Sequence, residues 1–133
     1  MAAIFTPAAR SIFAKRVLLH LATIGSDGEP HVTPVWTELD GVDIIINTAL
    51  GRKKARNLAN DPRVAISLTD PDDPGTCIAA RGLVVGFSTQ GADEVIDRLA
   101  RKYTGEDFRD SRVEGEVRVT VRIRPELISV QPD

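Results

Sequence analysis

Asn47-Thr48-Ala49-Leu50-Gly51-Arg52-Lys53-Lys54-Ala55-Arg56-Asn57-Leu58 reads as the end of a strand, a glycine turn and the first turns of a helix. Ala55, Leu58 and Ala59 stand at i, i+3 and i+4, which lets one helical face pack on a core. The start of this helix is electrostatically awkward. Arg52, Lys53, Lys54 and Arg56 crowd the turn where unpaired backbone N–H groups and the helix dipole already present positive charge. Acidic residues placed there contribute about 0.3–1 kcal/mol each, so a basic set is unfavourable until an anion joins it. A phosphate suits the place, because free N–H groups, dipole and guanidinium forks all favour it. A solvated basic helix start is the alternative reading.

Working outward, Val17 to Ile24 is a nearly continuous apolar strand that stops at the turn cluster Gly25-Ser26-Asp27-Gly28. The return strand is expected from His31 to Leu39, with Pro34 marking an edge, a bulge or a place where something other than a strand lies alongside. After Asp40-Gly41, Val42 to Asn47 completes an expected three-strand meander. Before all this, residues 7–15 read as a short helix, with Thr6 as cap, Pro7 at the first position, and Ile12 and Phe13 facing inward. Asn60-Asp61-Pro62 ends the basic helix. A strand follows from Arg63 to Thr69, then a polar loop, then a strand from about Thr76 to Phe87 with Gly82 and Gly86 placed to let it curve.

Thr89, Asp93 and Glu94 open another helix, whose buried stripe is expected to be Val95, Ile96, Leu99 and Tyr103. Residues 105–115 are polar and glycine-containing, an expected mobile connection. Val117, Val119, Val121 and Ile123 alternate with Arg118, Thr120, Arg122 and Arg124 as a half-buried strand. Pro125 is expected to break it, with Leu127 to Val130 as a last strand. Several strands with turns, interrupted by isolated helices, favour a closed or partly closed antiparallel barrel over a βαβ fold. A barrel this small is filled by side chains, so a ligand belongs in an outside groove of the kind a second subunit completes.

The 133 residues suit a single domain, 1–133, and 42% hydrophobic with 27% charged residues describes an ordinary globular chain. A net charge of -2 argues against general nucleic-acid binding, so the local basic charge has a local purpose. One cysteine, Cys77, permits no internal disulfide, and there is no metal-binding cluster of cysteine and histidine. No apolar run reaches the ~20 residues of a membrane span, and the first residues lack a signal peptide's pattern. A cytoplasmic protein is expected.

Catalytic side chains are scarce. There is no nucleophile elbow and no nucleophile–histidine set. His20, inside an apolar strand, reads as structural, and His31, beside a turn, as an exposed polar residue. Cys77 reads as inert. Trp36, the sole tryptophan, is either a core residue or a lining residue for a planar ligand. A phosphate site without acid–base machinery implies that a bound cofactor carries the chemistry.

The order Pro30-His31-Val32-Thr33-Pro34-Val35-Trp36, Ile46-Asn47-Thr48, then Gly51 to Leu58, resembles the pyridoxamine 5'-phosphate oxidase-like split-barrel superfamily. Asp61-Pro62-Arg63-Val64, Asp70-Pro71, Arg81-Gly82 and Val121-Arg122-Ile123-Arg124-Pro125 extend the similarity from about Ala14 to Val130. The variant is similar to the deazaflavin branch, the small coenzyme F420-dependent reductases. The resemblance implies a mainly β fold, a six-stranded antiparallel split β-barrel with a few flanking helices. It also implies a homodimer with cofactor sites at the interface. Arg52 and Lys53, with Lys54 and Asn57 near them, would hold the cofactor phosphate. Thr33, Pro34, Val35 and Trp36, with Asn47 and Thr48, would run beside the ring and ribityl chain.

The implied activity is hydride transfer from coenzyme F420 to a small conjugated substrate. The alternatives are an FMN-dependent oxidoreductase of the same fold, and a non-catalytic flavin or deazaflavin carrier or sensor. Many relatives have a bulky residue after the Asp-Pro loop and an acid before Arg-Gly. Here Gly75-Thr76 and Ala79-Ala80 stand in those places, which predicts a more open pocket.

Overall fold

The computed structural model describes residues 3–108 and 113–131. In chain order these form α1 (Pro7–Phe13), β1 (Leu19–Ile24), β2 (Pro30–Val35), β3 (Glu38–Asp40), β4 (Asp43–Ala49), α2 (Lys53–Asn60), β5 (Arg63–Thr69), β6 (Cys77–Ser88), α3 (Ala92–Thr104) and β7 (Arg118–Gln131). The seven strands make one antiparallel sheet in the order β2-β1-β5-β6-β7-β4-β3. Its two edge strands are therefore β2 and β3, which are joined by only Trp36 and Thr37. Three residue steps span at most about 10 Å of extended chain, so the sheet must curl until its edges face each other. That is a split barrel, with its seam at Trp36.

Seven strands replace the expected six because the return strand from His31 to Leu39 is two strands, broken at Trp36–Thr37. The expected meander is corrected for the same reason. β2 pairs with β1 and β3 with β4, at opposite ends of the sheet. Pro34 does lie on an edge, where its missing donor costs no ladder bond. Pro125 does not break β7, which runs unbroken to Gln131. It sits opposite Gly82, where the β6–β7 register shifts. A Cβ at Gly82 would lie 2.5 Å from the Arg124 carbonyl oxygen, so glycine is what allows the two strands this close approach. The second register shift, between Val84 and Gly86, completes the curvature expected of that strand.

Inside the barrel, Leu19, Leu21, Ile44, Ile46, Leu68, Ile78 and Ile123 are all within 1% of complete burial. Each contributes roughly 1.5–3 kcal/mol relative to exposure. α1 closes one side of this core through Ile12 and Phe13 and starts as expected, the Thr6 hydroxyl accepting from the Ala9 amide at 3.2 Å. α3 buries Ala92, Ile96, Leu99 and Ala100, leaving Val95 and Tyr103 half-buried, and its cap is Gly91 at φ 73° rather than Thr89. α2 buries Ala55 and Leu58, but its third buried residue is Asn57, while Ala59 is exposed. Every residue of β4 is buried, with Ile44 and Ile46 in the barrel core.

Candidate functional site

A groove of ≈ 200 Å³ opens beside the barrel seam. Pro34, Val35 and Trp36 of the β2 end, and Asn47 and Thr48 of β4, form one part of its wall. Arg52 and Lys54 from the start of α2, and Arg118 from the start of β7, supply its charge. Leu18, Ile96, Leu99 and Phe108 complete it with apolar surface.

Within α2 itself, the helix start is as uncompensated as its sequence implies. Gly51, at φ 91°, turns the chain, and Arg52 is the N-cap residue, with no side chain accepting from the first amides and no acid in the first turn. Arg56 folds back to donate to the Gly51 carbonyl. Arg52 and Lys54 both reach the groove. Burial, then the charges of Arg52 and Arg118, hold the Lys54 ammonium below the usual lysine range. Guanidiniums that lower the protonation of a neighbouring ammonium mark a place of positive potential.

Arg118 is the centre of this arrangement. Its side chain is 5% exposed, and Nε donates to Asn47 Oδ1 at 2.9 Å. Its guanidinium pairs with the Glu116 carboxylate and lies 4.9 Å from the centre of the Phe108 ring. Asn47 in turn donates to the Ala92 carbonyl at 2.9 Å, tying β4 to α3. Burial pushes the Glu116 carboxyl up. The hydrogen bond and charge of Arg118, the Val113 amide and Arg52 more distantly outweigh it, and the net shift is downward. Arg52 Nη2 is 3.7 Å from Glu116, so one carboxylate faces two guanidiniums.

Of the residues singled out from sequence, Pro34, Val35, Trp36, Asn47, Thr48, Arg52 and Lys54 are brought together on the groove. Lys53 is exposed and off its wall. Asn57 is buried, donating to Thr23 Oγ1 at 3.0 Å, and joins α2 to β1 instead of facing the groove. Thr33 is also off the wall, but its hydroxyl is buried without a protein partner, as are Thr48 Oγ1 and His31 Nδ1. His20 is exposed, not structural, and His31 is half-buried. Trp36 is a lining residue, stacked on Tyr103 with centroids 5.3 Å apart and edge-on to Phe108 at 6.2 Å. Sequence reasoning missed Arg118, Phe108, Ile96, Leu99 and Leu18 as wall residues. Strand alternation placed Arg118 on the solvent face, whereas it is buried and Val117 is exposed. Of the expected 105–115 connection, residues 109–112 lie outside the described residues. Among the described residues there is no cluster of groups able to hold a metal ion, and no helix is long and apolar enough to cross a membrane.

A curled antiparallel sheet with a groove at its seam lined by Arg52, Lys54 and Arg118 defines the class as a split barrel. The family model described as pyridoxamine 5'-phosphate oxidase matches residues 5–131, and the chain belongs to that family. Among solved structures it is similar to an F420 reductase, at 28% identity and a TM-score of 0.84, over 94% of this chain and 98% of that one. It is also similar to a conserved hypothetical protein from Mycobacterium tuberculosis, at 26% identity and a TM-score of 0.74, over 97% and 85%. The heme storage protein HutZ from Vibrio cholerae shares the fold, at 19% identity and a TM-score of 0.69, over 96% and 95%. No curated protein matches the chain.

Proposed function

We propose that this protein is an oxidoreductase that binds coenzyme F420 in the groove at the barrel seam and serves hydride transfer to a small conjugated substrate. The observation that carries the reading is the convergence of Arg52, Lys54 and Arg118 on one uncapped helix start, with Glu116 as the carboxylate between the two arginines. A phosphate fits there, because it answers both the surplus cations and the free amides. The orphaned hydroxyls fit too. A buried polar atom without a partner costs about 1–3 kcal/mol, and Thr48 Oγ1, on the groove wall, and Thr33 Oγ1, one residue before Pro34 of that wall, suit the polar chain of such a coenzyme. Similarity to an F420 reductase over nearly the whole chain supports the choice of cofactor.

When bound, the deazaflavin supplies the hydride. This chain's residues bind and screen. Arg52, Lys54 and Arg118 would hold the phosphate. Trp36 and Phe108 would bound the ring, and Leu18, Val35, Ile96 and Leu99 would exclude water from it. Lys53, exposed and flanked in sequence by the two groove cations, and the exposed side chain of Arg52 would meet the coenzyme's carboxylate tail in a screened contact. No carboxylic acid, imidazole or thiol lines the groove among the described residues, which also favours the second reading, a deazaflavin or FMN carrier. The groove is open to the outside, and Leu18 on its wall is 49% exposed, so a second copy of the chain is proposed to complete it. The protein is proposed to work in the cytoplasm. Replacing Arg52 and Lys54 together by Gln should weaken coenzyme F420 at least tenfold, about 1.4 kcal/mol, while folding survives the loss of charges that oppose the helix dipole. Unchanged affinity in a folded double variant would contradict the phosphate assignment.

A further inference from the structure

Trp36 and Thr37 belong to neither flanking strand, so no sheet ladder holds the backbone that carries the indole. α3 holds it instead, through two successive residues. Lys102 Nζ donates to the Thr37 carbonyl at 2.6 Å and to the Phe13 carbonyl, at the end of α1, at 2.6 Å. Tyr103 Oη accepts from the Thr37 amide at 3.1 Å and donates to the Val17 carbonyl at 2.5 Å. Thr37 is fully buried, so both of its backbone groups need partners, and α3 supplies both. Its side chain is committed as well, Oγ1 donating to the Ile45 carbonyl at 2.9 Å. The Tyr103 ring then lies nearly parallel to the Trp36 indole, 13° from coplanar, with Lys102 Nζ 4.9 Å from the Tyr103 centroid.

We propose that Lys102 and Tyr103 are positioning residues for the groove: they fix the Thr37 peptide and, through it, the angle at which Trp36 faces a planar ligand. The proposal rests on the groove being the ligand site. A purely space-filling role does not account for the choice of residue. Burial pushes the Lys102 ammonium down to about 8, with Glu38 pulling the other way, whereas a methionine would fill the same space without that cost. What the amine adds is the pair of bonds joining α1, α3 and the seam.

Trp36 is the sole tryptophan, so its fluorescence reports the clamp without any ligand. Tyr103→Phe keeps the stacked ring and removes the hydroxyl, and Lys102→Met keeps the length and removes the donors. Each variant, in ligand-free protein, should make Trp36 more accessible to acrylamide and shift its emission to longer wavelength. Each should also weaken coenzyme F420 by about fivefold or more. If one variant fails to fold, the other carries the test. Unchanged quenching and emission in a folded variant would overturn the proposal. So would a loosened Trp36 with unaltered coenzyme affinity. If the wild type binds neither coenzyme F420 nor FMN, the functional reading fails, and the quenching result alone still decides whether the clamp exists.

Discussion

Replacing Arg118 by Met keeps the bulk of a buried side chain and removes its charge, so it measures how much the groove depends on one guanidinium. Arg118 and Glu116 are 5% and 9% exposed, and Arg118 also satisfies Asn47 Oδ1 at 2.9 Å. Breaking a buried ion pair by deleting one partner costs roughly 3–5 kcal/mol, because the other charge stays desolvated. Here Arg52 remains 3.7 Å from Glu116, and the carboxyl can take up a proton, so the low end applies. We expect a loss of about 3 kcal/mol in urea unfolding at pH 7, equivalent to roughly 10 °C in melting temperature for a chain of this size. Adding Glu116→Gln to Arg118→Met should recover at least ~1 kcal/mol, since the stranded charge disappears with it. Coenzyme F420 should bind the single variant at least tenfold more weakly. A loss below about 1 kcal/mol with additive single and double variants would show that Arg118–Glu116 is energetically an ordinary surface contact.

Two further outcomes follow from the structure. The Lys102 ammonium is held down to about 8, against an ordinary 10.5, by burial. Between those values the unfolded chain binds more protons than the folded one, so stability should rise as pH climbs from 8 towards 10. Lys102→Met should flatten that rise, and parallel curves for wild type and variant would contradict it; Lys54, shifted the same way, stays in both proteins and cancels. Sedimentation should give a symmetric dimer at micromolar concentration, and a monomer with full coenzyme binding would rule out a site completed by a second copy.

Much of the groove was legible because the physics was local. Uncapped amides and a run of cations at the start of α2 are visible within six residues of sequence, and they placed Arg52 and Lys54 on the groove. Pro34 narrowed its strand to an edge, a bulge or a strand-free neighbour by its missing donor alone, and the sheet order puts it on an edge. Arg118 was not legible. It reaches the site only because β7 pairs with β4, setting Arg118 opposite Ala49, and alternation along β7 cannot reveal a partner more than sixty residues away. Asn57 failed in the opposite direction. The family resemblance put it near the phosphate, but its amide donates to Thr23 on β1. Helical spacing chose Ala59 as the third buried residue of α2, and the structure buries Asn57 in its place. The break at Trp36–Thr37 was hidden too, because α3 holds those residues with side chains from Lys102 and Tyr103, far along the chain.

Whether the groove takes coenzyme F420 or FMN is decided by a comparison of the two ligands. FMN ends at its phosphate, whereas the deazaflavin coenzyme continues into a carboxylate tail that the exposed Lys53 and the half-exposed Arg52 can meet. Titrating purified protein with coenzyme F420 and with FMN, each at low and at high salt, separates them. Coenzyme F420 should bind more tightly, with an affinity that falls as salt screens the tail contact, and FMN should show a smaller salt effect. Protein that purifies yellow with stoichiometric FMN and has no affinity for the deazaflavin would contradict it.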